Sequence, residues 1–327
     1  MNDLSFSELV ERVIGAEKPI LLTHTRPDGD TVGSCAALAA LFDAMGRRPL
    51  VVSPDPIPSR LSFLTDGAWF VPAREYPPGA TVIAVDVASP QQLGRLQEVF
   101  AGALAPSFMI DHHERGVAFC PRYLRADASA VGEIVFDLAV ELVARGVLPA
   151  IPPFTVDAVF ASVSSDTGCF KYSNVTPRTH RIAAELIERG ANAPEINRLL
   201  FDVKTAQILA AEGYVASHLC KSEDGRIAWV LITDRIRDDL GLLDEHFETA
   251  IDVVRSLEGV EVAVAVKESP DGKFKVSLRS TELDVAAVAA TLGGGGHVRA
   301  AGCSLSVPTA EDAAKATVDA VKRALGA

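Results

Sequence analysis

The stretch PILLTHTRPDGDTVGSCAALAALFDAM (residues 19–45) sets a histidine and two aspartates between a short apolar run and a helical pattern. PILLT (residues 19–23) reads as a buried strand, since a brief continuous apolar run suits a strand covered on both faces. Residues 31–45 read as a helix that Gly46 stops. Working outward, PLVVS (49–53), TVIAVDV (81–87) and SFMI (107–110) repeat the strand pattern. Residues 91–100, 130–145, 156–165 and 177–188 repeat the helical one, with Gly190 closing the last. Strands alternating with helices imply right-handed crossovers and a parallel, doubly wound α/β sheet.

The pattern changes after a helical connector at residues 194–220, with the boundary between domains near residue 200. Residues 226–233, 261–267 and 273–280 read as strands of a mixed sheet. The last two are joined by a Pro-Asp-Gly turn at residues 270–272. Helical patterns follow at 284–292 and 309–325. The expected organisation is therefore a catalytic domain (1–193), a helical linker (194–220) and a smaller mixed-sheet domain (221–327).

The 327 residues are 48% hydrophobic and 23% charged, ordinary for a globular protein of about two domains. The formal net charge of -12 argues against long nucleic acid as the main partner, because proteins that track it neutralise many phosphates with Lys and Arg. It leaves a short anionic substrate open, since bound metal ions invert the local potential. The five cysteines form no C-x-x-C pair and are odd in number, which fits reduced thiols in a cytosol better than a disulfide framework. No signal peptide and no run of about 18 apolar residues is visible, so a cytoplasmic protein without a membrane span is expected.

In an open parallel sheet, ligands sit beyond the carboxyl ends of the strands. Four places put acids and histidines there or in the adjoining helical region: His24, Asp28 and Asp30 after the first strand, Asp86 at the end of the third, Asp111, His112 and His113 after the fourth, and Asp166 after the 156–165 helix. Carboxylates gathered this closely raise one another's pKa, and a cation resolves the conflict. Imidazole with carboxylate and no thiolate suits manganese, magnesium or a related divalent ion. Two such ions about 3.5–4 Å apart would activate water and brace a leaving phosphoryl oxygen. Each piece alone has a plainer reading. Asp28-Gly29-Asp30 suits a turn and helix cap, with Asp30 just before the helix; Asp86 suits a solvated strand end; His112 suits a structural role. Ser164 and Ser165 lack a G-x-S-x-G elbow, so a serine nucleophile is a poor candidate. Phe170 and Tyr172 suit base stacking or, for Phe170, core packing, and Arg178, His180 and Arg181 suit a solvated helix face.

HTRPDGDTVGS, VDVAS, IDHHERG and SDTGCFKYSNVTPRT resemble the successive motifs of the DHH phosphoesterase superfamily, and GGGGHVRAAG resembles the signature of the DHH-associated domain. Length and layout are similar to the stand-alone nano-RNase and pAp-phosphatase group. The resemblance implies His24, Asp28 and Asp86 as ligands of one ion, and Asp30, Asp86, His112 and Asp166 as ligands of a second, with manganese preferred and magnesium or cobalt as alternatives. His113 would approach the scissile phosphate and Asp111 would orient a neighbouring group. In the second domain Gly294, Gly295, Gly296, His297 and Arg279 would grip a phosphate of the substrate. The plainer alternative there is a tight glycine turn with Arg279 solvated, and Arg299 suits a surface charge. ASAVGE (128–133) lacks the Ser-Thr run associated with the family at that point, which puts substrate contacts there in question.

The implied activity is hydrolysis of short nucleotides: 3′-phosphoadenosine 5′-phosphate (pAp) and RNA of a few nucleotides. Cyclic di-AMP or pApA is the near alternative. A pyrophosphatase or polyphosphatase, which would carry an Arg-Lys-Lys cluster absent here, a non-catalytic nucleotide-binding regulator and a long-chain exonuclease are more distant. The resemblance also leaves a homodimer open.

Overall fold

The computed structural model describes residues 3–65, 69–72, 76, 79–102, 105–114 and 116–326. Arg115 of the IDHHERG stretch lies outside the described residues. The chain divides into two compact units, Met1–Val203 and Lys204–Ala327.

The first unit runs α1 (Phe6–Ile14), β1 (Ile20–Leu22), α2 (Gly29–Ala44), β2 (Leu50–Val52), β3 (Val82–Val85), α3 (Leu96–Val99), β4 (Phe108–Asp111), β5 (Arg122–Leu124), α4 (Val131–Ala144), α5 (Pro153–Asp166), α6 (Pro177–Glu188) and α7 (Ala193–Asn197). Its five strands are all parallel, in the order β2-β1-β3-β4-β5. The direction of winding reverses between β1 and β3, and an open α/β sheet has its ligand crevice at that switch point. Alternate strand residues feed two cores. Leu21, Val51, Ile83 and Ile110 join the core that contains α1, α2, α4 and α5. Ile20, Leu22, Val82 and Met109 join a second cluster on the opposite face.

Helix α2 is buried on every side from Gly29 to Phe42, as its nearly continuous run of small and apolar residues requires. Small residues also set its spacing: a Cβ on Gly33 would lie 2.7 Å from the carbonyl oxygen of Ala158 on α5. The helix starts two residues before the expected Thr31, because Asp28, not Asp30, is its N-cap; the Asp28 carboxylate accepts from the backbone N–H groups of Asp30 and Thr31. The helical stretch expected over 91–100 is broken. A 3-10 turn (Pro90–Leu93) and the single turn α3 flank Gly94, which at φ 50° leaves the right-handed region. Helix α1 and strand β5 were not anticipated, although Ser5 and Glu8 spell a capping box that the structure forms.

The second unit runs α8 (Ala206–Ser217), β6 (Cys220–Lys221), β7 (Ile227–Ile232), α9 (Asp234–Leu240), α10 (Ala250–Arg255), β8 (Val262–Glu268), β9 (Phe274–Ser280), α11 (Val285–Thr291), β10 (Gly295–His297), β11 (Ala300–Leu305) and α12 (Ala310–Leu325). The sheet order is β10-β11-β9-β8-β7-β6, with β7 and β8 parallel and the remaining pairs antiparallel. Val264, Val266, Val276 and Leu278 pack with residues of α11 and α12. Ala228, Val230, Ala263 and Ala265 pack with α8 and α10. Within residues 194–220, Ile196 belongs to the core of the first unit, whereas Ala211 and Val215 belong to that of the second. Among the described residues no helix is long and apolar enough to cross a membrane.

Candidate metal centre

The carboxyl ends of β1, β3 and β4 bring together the residues that the sequence scatters over about 140 positions, from His24 to Asp166. His24 follows β1, Asp86 follows β3, and His112 follows β4. Asp28 and Asp30 come from the N-terminus of α2, and Asp166 is the last residue of α5. Three sets of potential ligand atoms lie within 4.8 Å of one another: His24, Asp28 and Asp86; Asp30, His112 and Asp166; and Asp86, His112 and His113.

His24 and His112 are each oriented by the nitrogen that faces away from the acids. His24 Nδ1 lies 2.8 Å from the Thr25 carbonyl oxygen and His112 Nδ1 lies 3.0 Å from that of Ala128. A carbonyl only accepts, so both Nδ1 atoms carry hydrogen and both Nε2 atoms face the carboxylates. His24 Nε2 is 3.6 Å from Asp28 Oδ1 and 3.5 Å from Asp86 Oδ2. His112 Nε2 is 3.7 Å from Asp30 Oδ2, 3.6 Å from Asp86 Oδ1 and 3.7 Å from Asp166 Oδ2. These separations are too long for good hydrogen bonds. They match ligand atoms that share an ion at roughly 2.0–2.2 Å each.

Asp86 stands at the centre. It is 2% exposed, and its Oδ1 has no hydrogen-bond partner among the described residues. It also sits at φ 61°, a left-handed conformation that costs an L-residue about 1–2 kcal/mol. A buried, unpaired carboxylate oxygen on a strained backbone at a strand end is the kind of feature that functional sites retain. Its two oxygens face different histidines, as a bridge between two ions would. The donor set of imidazole nitrogens and carboxylate oxygens, with the orphaned Asp86 oxygen, fits divalent metal binding.

The electrostatics carry the same message. Burial alone would lower His24, but the contacts and charges of Asp28 and Asp86 push it up to about 11. Burial also opposes the charge on His112, and Asp86, Asp30 and Asp166 raise it to about 9. Asp30 is pushed up to about 7 by burial and by the charge of Asp86. Asp166 is raised well above the carboxylate range by burial and by Asp30. Without a metal, Asp30 and Asp166 are thus biased toward the protonated form, and a divalent cation would displace those protons.

His113 is placed differently from His112. Its Nδ1 is 2.7 Å from Asp111 Oδ1, and the same oxygen accepts the backbone N–H groups of His112 and His113 at 2.8 and 3.1 Å. Asp111 is fully buried; burial opposes its charge, but the bonds from His113 hold its carboxyl below the ordinary value. His113 is raised above its ordinary value: burial opposes this, and Asp111 and then Asp86 prevail. Asp111 therefore fixes the His113 ring, with Asp86 Oδ1 3.4 Å from the same nitrogen.

Several neighbours prove structural. Ser164 donates to Asn197 Oδ1 at 2.6 Å. Phe170 packs against Phe160 and stacks on His180 at 5.6 Å between centroids. Arg178 pairs with Asp137, as does Arg125. In the ASAVGE stretch, the Ser129 hydroxyl is engaged by the Asn174 carbonyl (2.7 Å) and by Thr179 Oγ1 (2.6 Å). The backbone of that stretch contributes instead: Ala128 C=O orients His112, and the Val131 N–H donates to Asp30 Oδ2 at 2.8 Å. Sequence reasoning missed these two groups because they are main-chain atoms.

In the second unit the glycine run begins in a turn at Gly293 and passes into an edge strand at Gly295 and Gly296. Gly295, Gly296 and His297 pair with Gly302, Ala301 and Ala300 of β11. Ala300 in turn pairs with Arg279 of β9, so His297 and Arg279 stand on one face of the sheet. Gly294 and Gly296 are demanded by packing: a Cβ on Gly294 would run into the Gly302 carbonyl, and one on Gly296 would lie 2.6 Å from that of Ala300. Gly295 is exposed and meets nothing within 4 Å. Arg299 is half-buried, and its Nη1 is buried without a partner among the described residues, so it is not a simple surface charge.

The profile of the DHH family N-terminal domain matches residues 18–162, and that of the DHHA1 domain matches residues 231–325. The chain belongs to the DHH family and carries a C-terminal DHHA1 domain. Among its relatives is the bifunctional oligoribonuclease and PAP phosphatase NrnA of Thermus thermophilus, 32% identical over 97% of this chain and 94% of that protein. NrnA of Bacillus subtilis is 26% identical over 91% of this chain and 93% of its own length. An exopolyphosphatase-related protein from Bacteroides fragilis shares the fold, with a TM-score of 0.87, 22% identity and coverage of 97% of this chain and 95% of that one.

Proposed function

We propose that this protein is a divalent-metal-dependent phosphoesterase of short nucleotides. It converts pAp to AMP and phosphate and cuts RNA of a few nucleotides to mononucleotides. The observation that carries the reading is the convergence on Asp86 of two His–carboxylate sets at 3.5–3.7 Å, with one buried Asp86 oxygen unpaired among the described residues. The names of the NrnA relatives, matched over nearly the whole chain, supply the substrate class.

In this reading His24, Asp28 and Asp86 hold one ion, and Asp30, Asp86, His112 and Asp166 hold the other, with manganese as the working metal. Two divalent ions in such a site activate water and neutralise phosphoryl charge. His113, held by Asp111, stabilises the charge developing on the phosphate or protonates the leaving oxygen, and the Asp111 contact keeps its ring in one orientation. Arg279, His297 and the backbone at Gly294, Gly295 and Gly296 bind the substrate's other phosphate, so the first unit is the catalytic domain and the second the substrate-binding domain. A cytoplasmic location and a homodimer complete the proposal; they rest on five free cysteines and on the family resemblance.

The test is incubation of purified protein with manganese, magnesium or cobalt and a panel of pAp, pApA, cyclic di-AMP, RNA of two to about ten nucleotides, and pyrophosphate. Fast cleavage of pAp and the shortest RNAs, lost in His112→Ala, is the expected result. Pyrophosphate turnover without nucleotide hydrolysis, or activity untouched in His112→Ala, would overturn the reading.

A further inference from the structure

The Asp30 carboxylate is held by donors from three helices. Its Oδ1 accepts from Ser34 Oγ (3.0 Å) one turn further along α2, from Ser162 Oγ (2.5 Å) on α5, and from the Gly132 N–H (3.3 Å) at the start of α4. Among the described residues its Oδ2 accepts a hydrogen bond only from the Val131 N–H (2.8 Å), and it faces His112 Nε2 at 3.7 Å. A carboxylate oxygen offers about two lone-pair directions. Oδ1 is therefore saturated, and Oδ2 keeps one direction for something else.

The packing around Ser162 follows from this contact. A Cβ on Gly132 would collide with the Ser162 hydroxyl, and a Cβ on Gly33 would lie 3.1 Å from Ser162 Cβ. Both facing helices carry glycine where Ser162 approaches, and both serines are fully buried. Buried hydroxyls on helices commonly return to their own helix's backbone carbonyls, as Thr167 and Thr317 do here. Ser34 and Ser162 turn to a carboxylate instead.

We infer that Ser34 and Ser162 are positioning residues for the metal centre, an assignment that rests on the metal-dependent reading above. They commit Asp30 Oδ1 to the protein, so that Asp30 offers a divalent ion one oxygen, Oδ2, in a fixed direction. The ion shared with His112 and Asp166 then depends on these hydroxyls, whereas the ion at His24 and Asp28 does not.

The test is titration of manganese into chelator-treated full-length protein, followed by calorimetry and by electron paramagnetic resonance of the free ion. Wild type, Ser34→Ala, Ser162→Ala and Ser164→Ala are compared. Ser164 is the control, a buried serine on the same helix that bonds Asn197. Wild type is expected to take up two ions. Ser162→Ala should lose about 10–100-fold in affinity for one of them, the range typical of partners that orient a ligand. Ser34→Ala should lose less, and Ser164→Ala should match wild type. Melting of the metal-free variants by circular dichroism separates loss of fold from loss of metal, and Ser34→Ala decides the matter if Ser162→Ala does not fold. Two ions bound with wild-type affinity by both Asp30-directed variants, or an equal loss in Ser164→Ala, would overturn the inference. A wild type that takes up no ion would overturn the metal reading itself, and this inference with it.

Discussion

Asp86 in the first unit sits at a left-handed φ of 61°, buried, with one carboxylate oxygen unpaired among the described residues; Gly295 in the second sits exposed, with open space where a Cβ would stand. The two positions depart from packing logic in opposite directions. Asp86 is a polar group that the fold holds at a cost and does not satisfy. Gly295 is an absence that the fold does not need, unlike its neighbours Gly294 and Gly296, which β11 demands. Both are places where the fold itself leaves something unexplained, and the proposed function assigns a ligand to each: a cation to the first and a phosphate to the second.

Asp86→Asn should have the largest effect. Asn tolerates the left-handed backbone, so the fold should survive, while the bridge between the two histidine sets loses its charge. Activity on pAp should fall by more than the ~100-fold typical of an outer partner. Steady-state rates with saturating manganese check it, and a loss under tenfold would remove Asp86 from the centre of the site.

Asp111→Asn should come next. The His113 ring loses its charged acceptor at 2.7 Å, and kcat should fall by roughly 10²-fold with KM for pAp little changed. An equal rise in KM would place Asp111 in substrate binding instead.

The acid and histidine cluster also predicts how stability responds to pH. His24 and His112 are raised to about 11 and about 9, and Asp30 to about 7, in the metal-free protein. The folded state therefore binds more protons than the unfolded chain between pH 6 and 8.5. Carboxylates held low are ionised in both states there and contribute nothing. Stability must fall as pH rises across this window. The Tm of chelator-treated protein should drop steadily from pH 6 to 8.5, and added manganese should flatten or reverse the slope, because metal ligands must be deprotonated. A Tm that rises with pH in the absence of metal would contradict the clustering.

The smallest effects are expected in the second unit. Gly294→Ala should destabilise the second unit by about 1–3 kcal/mol, the usual cost of forcing atoms into a packed site. Gly295→Ala should leave the unfolding free energy within ~0.5 kcal/mol of wild type and raise KM for pAp a few-fold. Chemical denaturation and initial rates separate the two. If Gly295→Ala changes neither, the hairpin is only an edge of the sheet.

Much of this was legible in the residues. The first-unit strands could be read as short apolar runs because a parallel sheet buries both faces, and Leu21 and Leu22 do feed opposite cores. The acids and histidines of the candidate centre were legible because each follows a strand or ends a helix. Less legible was Gly94, whose φ of 50° breaks an otherwise helical pattern. Asp30, just before the expected helix start, suited both a cap and a ligand, yet Asp28 caps α2 and the Asp30 carboxylate meets the N-terminus of α4, about a hundred residues further along the chain. Local periodicity carries no information about such a partner.

The sequence by itself determined the kinds of donor available, their order along the chain and the two-sheet architecture, since these follow from residue chemistry and short-range pattern. Only the tertiary structure decided which atom of each donor faces the site. Ala128 C=O turns His112, Asp111 turns His113, and Ser34, Ser162 and α4 divide the two oxygens of Asp30. Those choices depend on hydrogen bonds between segments remote in sequence, which exist only once the helices and strands have packed.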